Sequence, residues 1–207
     1  KLNKLKNSTV LVLGIGGVGG NACEALVRGG IGNVIIVDID TVEESNINRQ
    51  LVALHSTLNQ AKVDVMKKRI LDINPNCDVT SYHTFYNDET KEGISNHKID
   101  FICDCIDTVT FKIDIIKESL IRNIPLISSM GQGNKFHPEM IEIEDLYKTS
   151  YDPIARVIRN KLRRMKIQGS VPVVYSKEQP TKVDSNHFSP SSNSYVPSVA
   201  GIIMAKI

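Results

Sequence analysis

The stretch TVLVLGIGGVGG, residues 9–20, decides the fold of this chain. Its first five residues are apolar or β-branched, as in a short buried strand, and residues 21–28 after it have helical composition. Between them lies the pattern G-x-G-x-x-G, carried by Gly14, Gly16, Gly17 and Gly19. Such glycines let the backbone approach a phosphate group, while the N-terminus of the helix that follows supplies N–H donors and a positive dipole end.

A carboxylate completes this unit. Val34–Asp38 is predicted to form the second strand, and Asp38, which ends it, follows Gly19 by 19 residues. A carboxylate at that position accepts hydrogen bonds from the hydroxyls of a ribose. Strand, glycine loop, helix, strand and terminal aspartate together predict a nucleotide site; the alternative is a glycine-rich turn that binds no ligand.

The same alternation continues along the chain. Further strands are predicted at 78–84, 100–106, 126–130 and 171–176, and helices at 59–73, 111–123, 152–166 and 196–207. Strands that alternate with helices indicate a doubly wound, Rossmann-like α/β fold, with a mostly parallel sheet and helices on both faces. We expect one domain, with a nucleotide-binding core at 1–135 and a C-terminal α+β extension at 136–207, and we expect both termini to be incomplete.

Composition excludes several classes of protein. The 207 residues are 41% hydrophobic and 23% charged, which is ordinary for a soluble globular chain. The net charge of +2 excludes nucleic-acid binding through bulk charge, though not through a local basic patch. Four cysteines without a C-x-x-C pair indicate free thiols in a reducing, cytoplasmic compartment. The longest uncharged apolar run, Val10–Gly20, is too short to span a bilayer.

Two basic side chains favour ATP over a dinucleotide as the ligand. The glycine unit alone suits NAD or FAD, and an NAD-dependent oxidoreductase is one interpretation. Arg49, in the loop after the second strand, and Lys62, at the start of the next helix, favour ATP. A triphosphate attacked at its α-phosphorus needs cations to spread charge over the departing pyrophosphate. The alternative is that both are surface residues, which is usual for their types. No G-x-x-x-x-G-K-[ST] motif occurs, so this is not a P-loop protein.

A second acidic cluster follows the strand that begins at Asp100. Ligands of open α/β sheets lie beyond the carboxyl ends of the strands. A carboxylate at such an end can hold Mg²⁺ against phosphate oxygens. Asp107, farther from the strand, is the better candidate for the metal, and Asp104 is expected to cap or orient a neighbour.

Four segments resemble, in order, the ThiF/MoeB/HesA superfamily of adenylyltransferases: VLGIGGVGG (12–20), IVDIDTVEESNINRQ (36–50), NQAKVDVMKKRILDINP (59–75) and DFICDCIDT (100–108). The resemblance implies that the glycine loop cradles ATP and that Asp38 binds its ribose. It also implies that Asn46, Arg49 and Lys62 contact the phosphates and that Asp107 serves Mg²⁺ and catalysis. Asp40 and Gln50, inside the second segment, are further candidates for nucleotide binding.

The later segments 130–164 and 173–180 resemble one branch of that superfamily, TcdA/CsdL, the tRNA threonylcarbamoyladenosine dehydratases. This implies adenylation of a carboxylate on a modified adenosine and closure of a ring. It also implies a homodimer, sulfur-transfer partners of the cysteine desulfurase system, and an N-terminal segment whose arginine reaches the ATP of the partner subunit. We expect this chain to start too late to contain that segment. The missing C-x-x-C pairs favour this branch. The alternatives are an enzyme that adenylates the C-terminus of a ubiquitin-like sulfur carrier and a degenerate nucleotide-binding partner protein.

A basic helix is the candidate tRNA contact. Asp152-Pro153 is a good helix start, and an apolar stripe of Ile154, Ile158, Leu162 and Met165 is expected to dock the helix. That leaves a basic row outside: Arg156, Arg159, Arg163 and Lys166. Such a row can follow a phosphate backbone. A solvated helix face is an equally good interpretation of the charges, and the resemblance favours tRNA. The apolar segment 196–207 needs cover, which is a second reason to expect a dimer.

Overall fold

The computed structural model describes residues 2–181 and 191–206, and contains one seven-stranded sheet with the order β3-β2-β1-β4-β5-β7-β6. The strands are β1 (Thr9–Leu13), β2 (Asn33–Val37), β3 (Asp78–Tyr82), β4 (Phe101–Asp104), β5 (Leu126–Ser129), β6 (Ile141–Asp145) and β7 (Pro172–Ser176). Neighbours are parallel throughout except β6, which runs antiparallel to β7 at the edge. The predicted mostly parallel sheet is confirmed.

Helices cover both faces of this sheet. They are α1 (Leu2–Lys6), α2 (Gly17–Arg28), α3 (Lys62–Ile73), α4 (Lys91–Ser95), α5 (Val109–Arg122), α6 (Pro153–Arg164) and α7 (Val196–Met204). Alternate residues of β1 supply two cores: Val10 and Val12 pack with α2, α3 and α7, whereas Leu11 and Leu13 pack with α5 and α6. Burial on both faces explains why the strands are continuous apolar runs. In the described part of the chain, no helix combines the length and apolarity that a membrane span needs.

The order of the strands places the functional site. From β1 the chain moves outward through β2 and β3, then returns to β4 on the other side of β1 and moves outward again through β5. The direction therefore reverses between β1 and β4. The loops after these two strands diverge there and leave a crevice, which is where open α/β sheets bind ligands.

Several boundaries differ from those predicted. Helix α2 begins at Gly17, four residues before the predicted start, because the second half of the glycine loop is already helical. Strand β4 ends at Asp104 rather than at residue 106, so Asp107 lies on the following turn. Strand β6, in whose sequence IEIED three of five residues are acidic, and the short helices α1 and α4 were not predicted. Residues 182–190 of the predicted loop at 177–194, and Ile207 at the predicted end of the last helix, lie outside the described residues.

Candidate active site

The glycine loop is held by backbone contacts that only glycine permits. Gly14 has a φ of +85°, in the left-handed region, and its N–H donates to the carbonyl of Val37 at 2.8 Å. A Cβ on Gly19 would lie 1.8 Å from the carbonyl oxygen of Gly14. Helix α2 therefore starts directly against the loop. The N–H groups of its first turn have no partner within the helix and present a positive dipole end to the crevice.

Asp38 ties this loop to β2. Its Oδ2 accepts from the backbone N–H of Ile15 at 2.6 Å, and its Oδ1 accepts from that of Asp40 at 2.8 Å. Burial raises the pKa of Asp38 above its usual range, against the opposing effect of these two N–H donors and of Lys62. Each carboxylate oxygen has capacity for another hydrogen bond, which suits the two hydroxyls of a ribose.

Lys62 stands at the first turn of α3 with its ammonium held in place. Its Nζ donates to Asp40 Oδ2 at 2.8 Å, and its backbone N–H donates to the carbonyl of Asp40 at 3.0 Å. The residue is only 4% exposed, whereas the side chain of Asp40 is 61% exposed. Asp40 thus positions a buried cation beside the glycine loop, where it can meet an anionic ligand.

Arg49 and Asn46 come from the turn after β2. Arg49 Nη1 donates to the carbonyl of Ser45 at 2.9 Å and to Asn48 Oδ1 at 2.8 Å. Asn46 is buried, and its Oδ1 accepts from the N–H of Glu43 at 3.3 Å, closing the turn. These bonds hold the arginine at the cleft, since Nη1 is oriented by two acceptors of its own turn.

Asp107 and Asp104 have different surroundings. Asp107 is exposed at the mouth of the cleft and accepts from Thr108 Oγ1 at 3.3 Å. Asp104 is fully buried, and its Oδ2 accepts from Lys112 Nζ at 2.8 Å and from Ser128 Oγ at 2.5 Å. Its Oδ1 accepts from the N–H of Ile106 at 3.2 Å. Asp104 therefore anchors the turn that carries Asp107.

One cleft of about 570 Å³ collects almost the whole predicted nucleotide set: Gly14, Gly16, Gly17, Asp38, Asp40, Asn46, Arg49, Gln50, Lys62 and Asp107. Gly19 is the exception. It does not line the cleft and acts instead by its close packing behind the loop. Among residues 2–181 and 191–206, no group of three His, Cys, Asp or Glu side chains could hold a metal ion. A Mg²⁺ at Asp107 would therefore take its other ligands from phosphate and water oxygens, as this ion commonly does.

The sequence analysis missed the far wall of this cleft. The loop after β5 contributes Gly131, Gln132 and Gly133, and α5 contributes Phe111 and Lys112. A buried ion pair braces the loop to α6: Lys135 Nζ donates to the carbonyl of Gly131 at 2.6 Å and to Asp152 Oδ2 at 2.9 Å. The run Met-Gly-Gln-Gly-Asn directly after a parallel strand was the available signal, because such loops line the crevice of this fold.

The basic helix α6 docks on the rest of the protein through only part of the predicted apolar stripe. Ile158 and Leu162 are buried, and Asp152 Oδ1 caps the helix by accepting from the N–H of Ala155 at 2.9 Å. Met165 was wrongly placed in the apolar stripe: it follows the end of the helix and is 52% exposed. The apolar contact therefore ends one turn earlier than expected.

The basic row is shorter than predicted. Arg156 and Arg163 are exposed, and Lys166 lies beyond the helix in a left-handed conformation. Arg159 is half-buried, and its Nη1 donates to the carbonyls of Leu146 and Thr149 at 3.2 and 2.9 Å. The prediction that Arg159 projects outward is wrong, because its guanidinium satisfies the end of a short turn before α6.

The apolar residues of helix α7 pack largely against other parts of the same chain. A Cβ on Gly201 would lie 2.2 Å from the carbonyl oxygen of Val18, so α7 packs backbone to backbone against α2. Ala200 and Met204 are buried in the same core, whereas Ile202 is 57% exposed. The apolar character of this segment is thus explained largely without a second copy of the chain.

Comparison with known proteins agrees with this geometry. The chain is 49% identical to the tRNA threonylcarbamoyladenosine dehydratase of Bacillus subtilis, over 98% of this chain and 86% of that protein. It superposes on the structure of Escherichia coli TcdA in complex with AMP with a TM-score of 0.92 and 32% identity, covering 99% of this chain and 85% of that one. A structure of the same E. coli enzyme with ATP matches with a TM-score of 0.91, also at 32% identity, over the same shares of the two chains.

The similarity to another adenylyltransferase is weaker. The molybdopterin-synthase adenylyltransferase of Haemophilus influenzae is 34% identical over 60% of this chain and 51% of that protein. The ThiF family itself matches residues 1–202. Since that match spans nearly the whole described fold, from the glycine loop to α7, this protein belongs to the ThiF family.

Proposed function

We propose that this protein is an ATP-dependent tRNA threonylcarbamoyladenosine dehydratase. The observation that carries the proposal is the single cleft in which the glycine loop, Asp38, Arg49, Lys62 and Asp107 meet, in a chain similar over nearly its full length to dehydratases of that name. Its substrates are ATP and the carboxylate of the modified nucleoside.

The arrangement suits adenylation of a carboxylate. A carboxylate is a poor electrophile because it is anionic and its oxide is a poor leaving group, whereas an acyl-adenylate loses AMP. The cleft has to align the carboxylate with the α-phosphorus and to neutralise the departing pyrophosphate. Lys62 and Arg49 provide fixed positive charge for this, since the side chain of each is already oriented by hydrogen bonds.

Mg²⁺ belongs to the proposal as the partner of Asp107. One exposed carboxylate at the cleft mouth, with no protein cage around it among the described residues, matches a metal that arrives with a nucleotide. Such an ion would neutralise phosphate charge where charge develops. Asp104, through its bond to the N–H of Ile106, keeps that carboxylate on the correct side of the cleft.

No cysteine of the cleft supports covalent catalysis. Cys103 is buried in the core and Cys105 lies against Met204, with 3.7 Å between the two sulfur atoms. Burial raises the pKa of both thiols, which disfavours the thiolate that a nucleophile requires. Ring closure is therefore assigned to an atom of the substrate itself, which displaces AMP from the activated carboxylate.

The partners follow from the same proposal. Arg156 and Arg163 on α6, with Lys166 beyond its end, form the tRNA contact, while Arg159 shapes the turn beneath them. We also propose a homodimer, a cytoplasmic location and a link to a cysteine desulfurase system. These rest on the family rather than on a surface of the described chain.

Reconstitution tests the function directly. The full-length protein is incubated with ATP, Mg²⁺ and tRNA carrying threonylcarbamoyladenosine, and the nucleosides are analysed by mass spectrometry. We expect a product lighter by one water, formed only with ATP. If the tRNA is unchanged while pyrophosphate exchange depends on a sulfur-carrier protein, the dehydratase assignment is wrong and the carrier alternative is correct.

A further inference from the structure

Two glutamines in the cleft are buried with an amide oxygen that lacks a hydrogen-bond partner. Gln50 and Gln132 are each 8% exposed, and theirs are the side-chain Oε1 atoms in the described residues that are both buried and unpartnered. A buried acceptor without a donor is costly to the folded state. Because both side chains line the ligand cleft, a hydrogen-bond donor on the ligand can explain why the acceptors are unpartnered in the free protein.

The two glutamines enter the cleft from different loops, Gln50 from the loop after β2 and Gln132 from the loop after β5. Gln50 belongs to the nucleotide end: its Nε2 would lie 3.9 Å from a Cβ on Gly16 of the glycine loop. Gln132 follows β5, two strands away from β1 in the sheet. With strands spaced about 4.8 Å apart, that is roughly 10 Å from the strand that carries the glycine loop. The two amides therefore face different parts of a bound adenylate.

The order of sites along the sheet edge matches the order of groups in an acyl-adenylate. Asp38 follows β2, the glycine loop follows β1, Asp107 follows β4 and Gln132 follows β5. If Asp38 binds the ribose and the glycine loop the phosphate, the acyl group extends past Asp107. Gln132 is then a polar side chain at the acyl end, where Gly131, Gly133 and Ile154 also line the cleft.

The loop that presents Gln132 is rigidly supported. Lys135, itself buried, bonds the carbonyl of Gly131 and the carboxylate of Asp152. A Cβ on Gly131 would come within 3.3 Å of Ile154 Cδ1, so the loop packs tightly on α6. Gln132 Nε2 donates weakly to the carbonyl of Met130, at 3.3 Å. The terminal torsion of a glutamine is broad, so the amide can turn toward the cleft without moving the backbone.

We propose that Gln132 is a specificity-determining residue whose Oε1 accepts a hydrogen bond from a donor beside the reacting carboxylate: a ureido N–H or the hydroxyl of the threonylcarbamoyl group. This inference rests on the proposed dehydratase function. A substrate that brings a donor satisfies this buried acceptor when it binds. A substrate without a donor leaves the acceptor unpaired, so the site selects for substrates that carry one.

The replacement Gln132→Met tests this, because it keeps the length of the side chain and removes both polar groups. We expect kcat/KM for the modified tRNA to fall about tenfold, the size of one neutral hydrogen bond, while KM for ATP is unchanged. The melting temperature should stay the same or rise, since an unpartnered acceptor has been removed from a buried site. A merely structural glutamine predicts the reverse: activity and melting temperature fall together.

Two matched variants carry the same chemical change. Gln50→Met should raise KM for ATP and leave unaltered the ratio of kcat/KM values for the modified tRNA and its glycine analogue. Gln168→Met, at an exposed position outside the cleft lining, should change neither. A tRNA analogue made with glycine in place of threonine identifies the donor: an unchanged tenfold difference between wild type and Gln132→Met selects the ureido N–H, and loss of that difference selects the hydroxyl.

The possible failures are distinguishable. A wild-type protein that forms no cyclic product overturns the proposed function and this inference together. A wild-type protein that forms it, while Gln132→Met matches it in kcat/KM or lowers the melting temperature along with activity, overturns the inference alone. A rise in KM for ATP in Gln132→Met would reassign this residue to the nucleotide.

Discussion

Replacement of Gly19 by alanine should damage the fold, whereas the same change at Gly16 should damage only nucleotide binding. A Cβ on Gly19 would meet the carbonyl oxygen of Gly14 at 1.8 Å, with Cys105 Cβ at 3.1 Å on another side. Ordinary contact begins near 3.4 Å, so about 1.6 Å of backbone movement is required. A Cβ on Gly16 has nothing nearer than Gln50 Nε2, at 3.9 Å, and Gly16 has a negative φ of −83°.

The magnitudes follow from these contacts. Overpacking of a well-packed interior costs about 1–3 kcal/mol, and a clash against backbone on this scale belongs at the upper end. For a chain of this length, 3 kcal/mol lowers the melting temperature by about 6–12 °C. Gly16→Ala should melt within about 2 °C of wild type by the same scale, and its methyl group should weaken ATP binding because Gly16 lines the cleft.

Differential scanning calorimetry and ATP titration of both variants measure these effects. Equal melting temperatures for Gly19→Ala and wild type would refute the reasoning about the loop, because they would mean that the close approach of α2 is not structurally required. A loss of stability in Gly16→Ala as large as that in Gly19→Ala would refute the distinction between the two glycines.

Three further outcomes are expected. Asp107→Asn should slow adenylate formation far more than it weakens ATP binding, and near-normal turnover in pre-steady-state assays would remove Asp107 from the site. The double change Arg156→Gln and Arg163→Gln should weaken tRNA binding and flatten its salt dependence by about one to two units on a log–log plot, with KM for ATP unchanged; an unaltered slope would leave α6 as a solvated face. Lys112→Met should lower the free energy of unfolding in urea by about 3–5 kcal/mol, because it leaves the buried charge of Asp104 unpaired. Adding Asp104→Leu should restore most of this stability; no recovery would mean that the pair stabilises the fold by more than neutralising its own charges.

Much of the fold could be predicted because its signals are local. Apolar runs, glycines at fixed spacing and helix start signals each lie within a few residues, so the sheet, its parallel character and the nucleotide end of the cleft follow from them. Boundaries were less accurate where one element passes directly into another, as at Gly17 and Asp104. Strand β6 was missed because its Glu-rich sequence lacks a continuous apolar run, as an edge strand allows.

The chain's local patterns determined which residues line the cleft, since Asp38, Lys62 and Asp107 take their places from the ends of recognisable elements. Tertiary structure alone decided what the other polar residues do. Arg159 turns inward to the carbonyls of a preceding turn, Lys112 pairs with Asp104 inside the core, and Gln132 lines the cleft while its amide oxygen stays buried and unpartnered. The partner of a buried polar group lies wherever packing brings it, and packing depends on contacts between distant parts of the chain that no local pattern records.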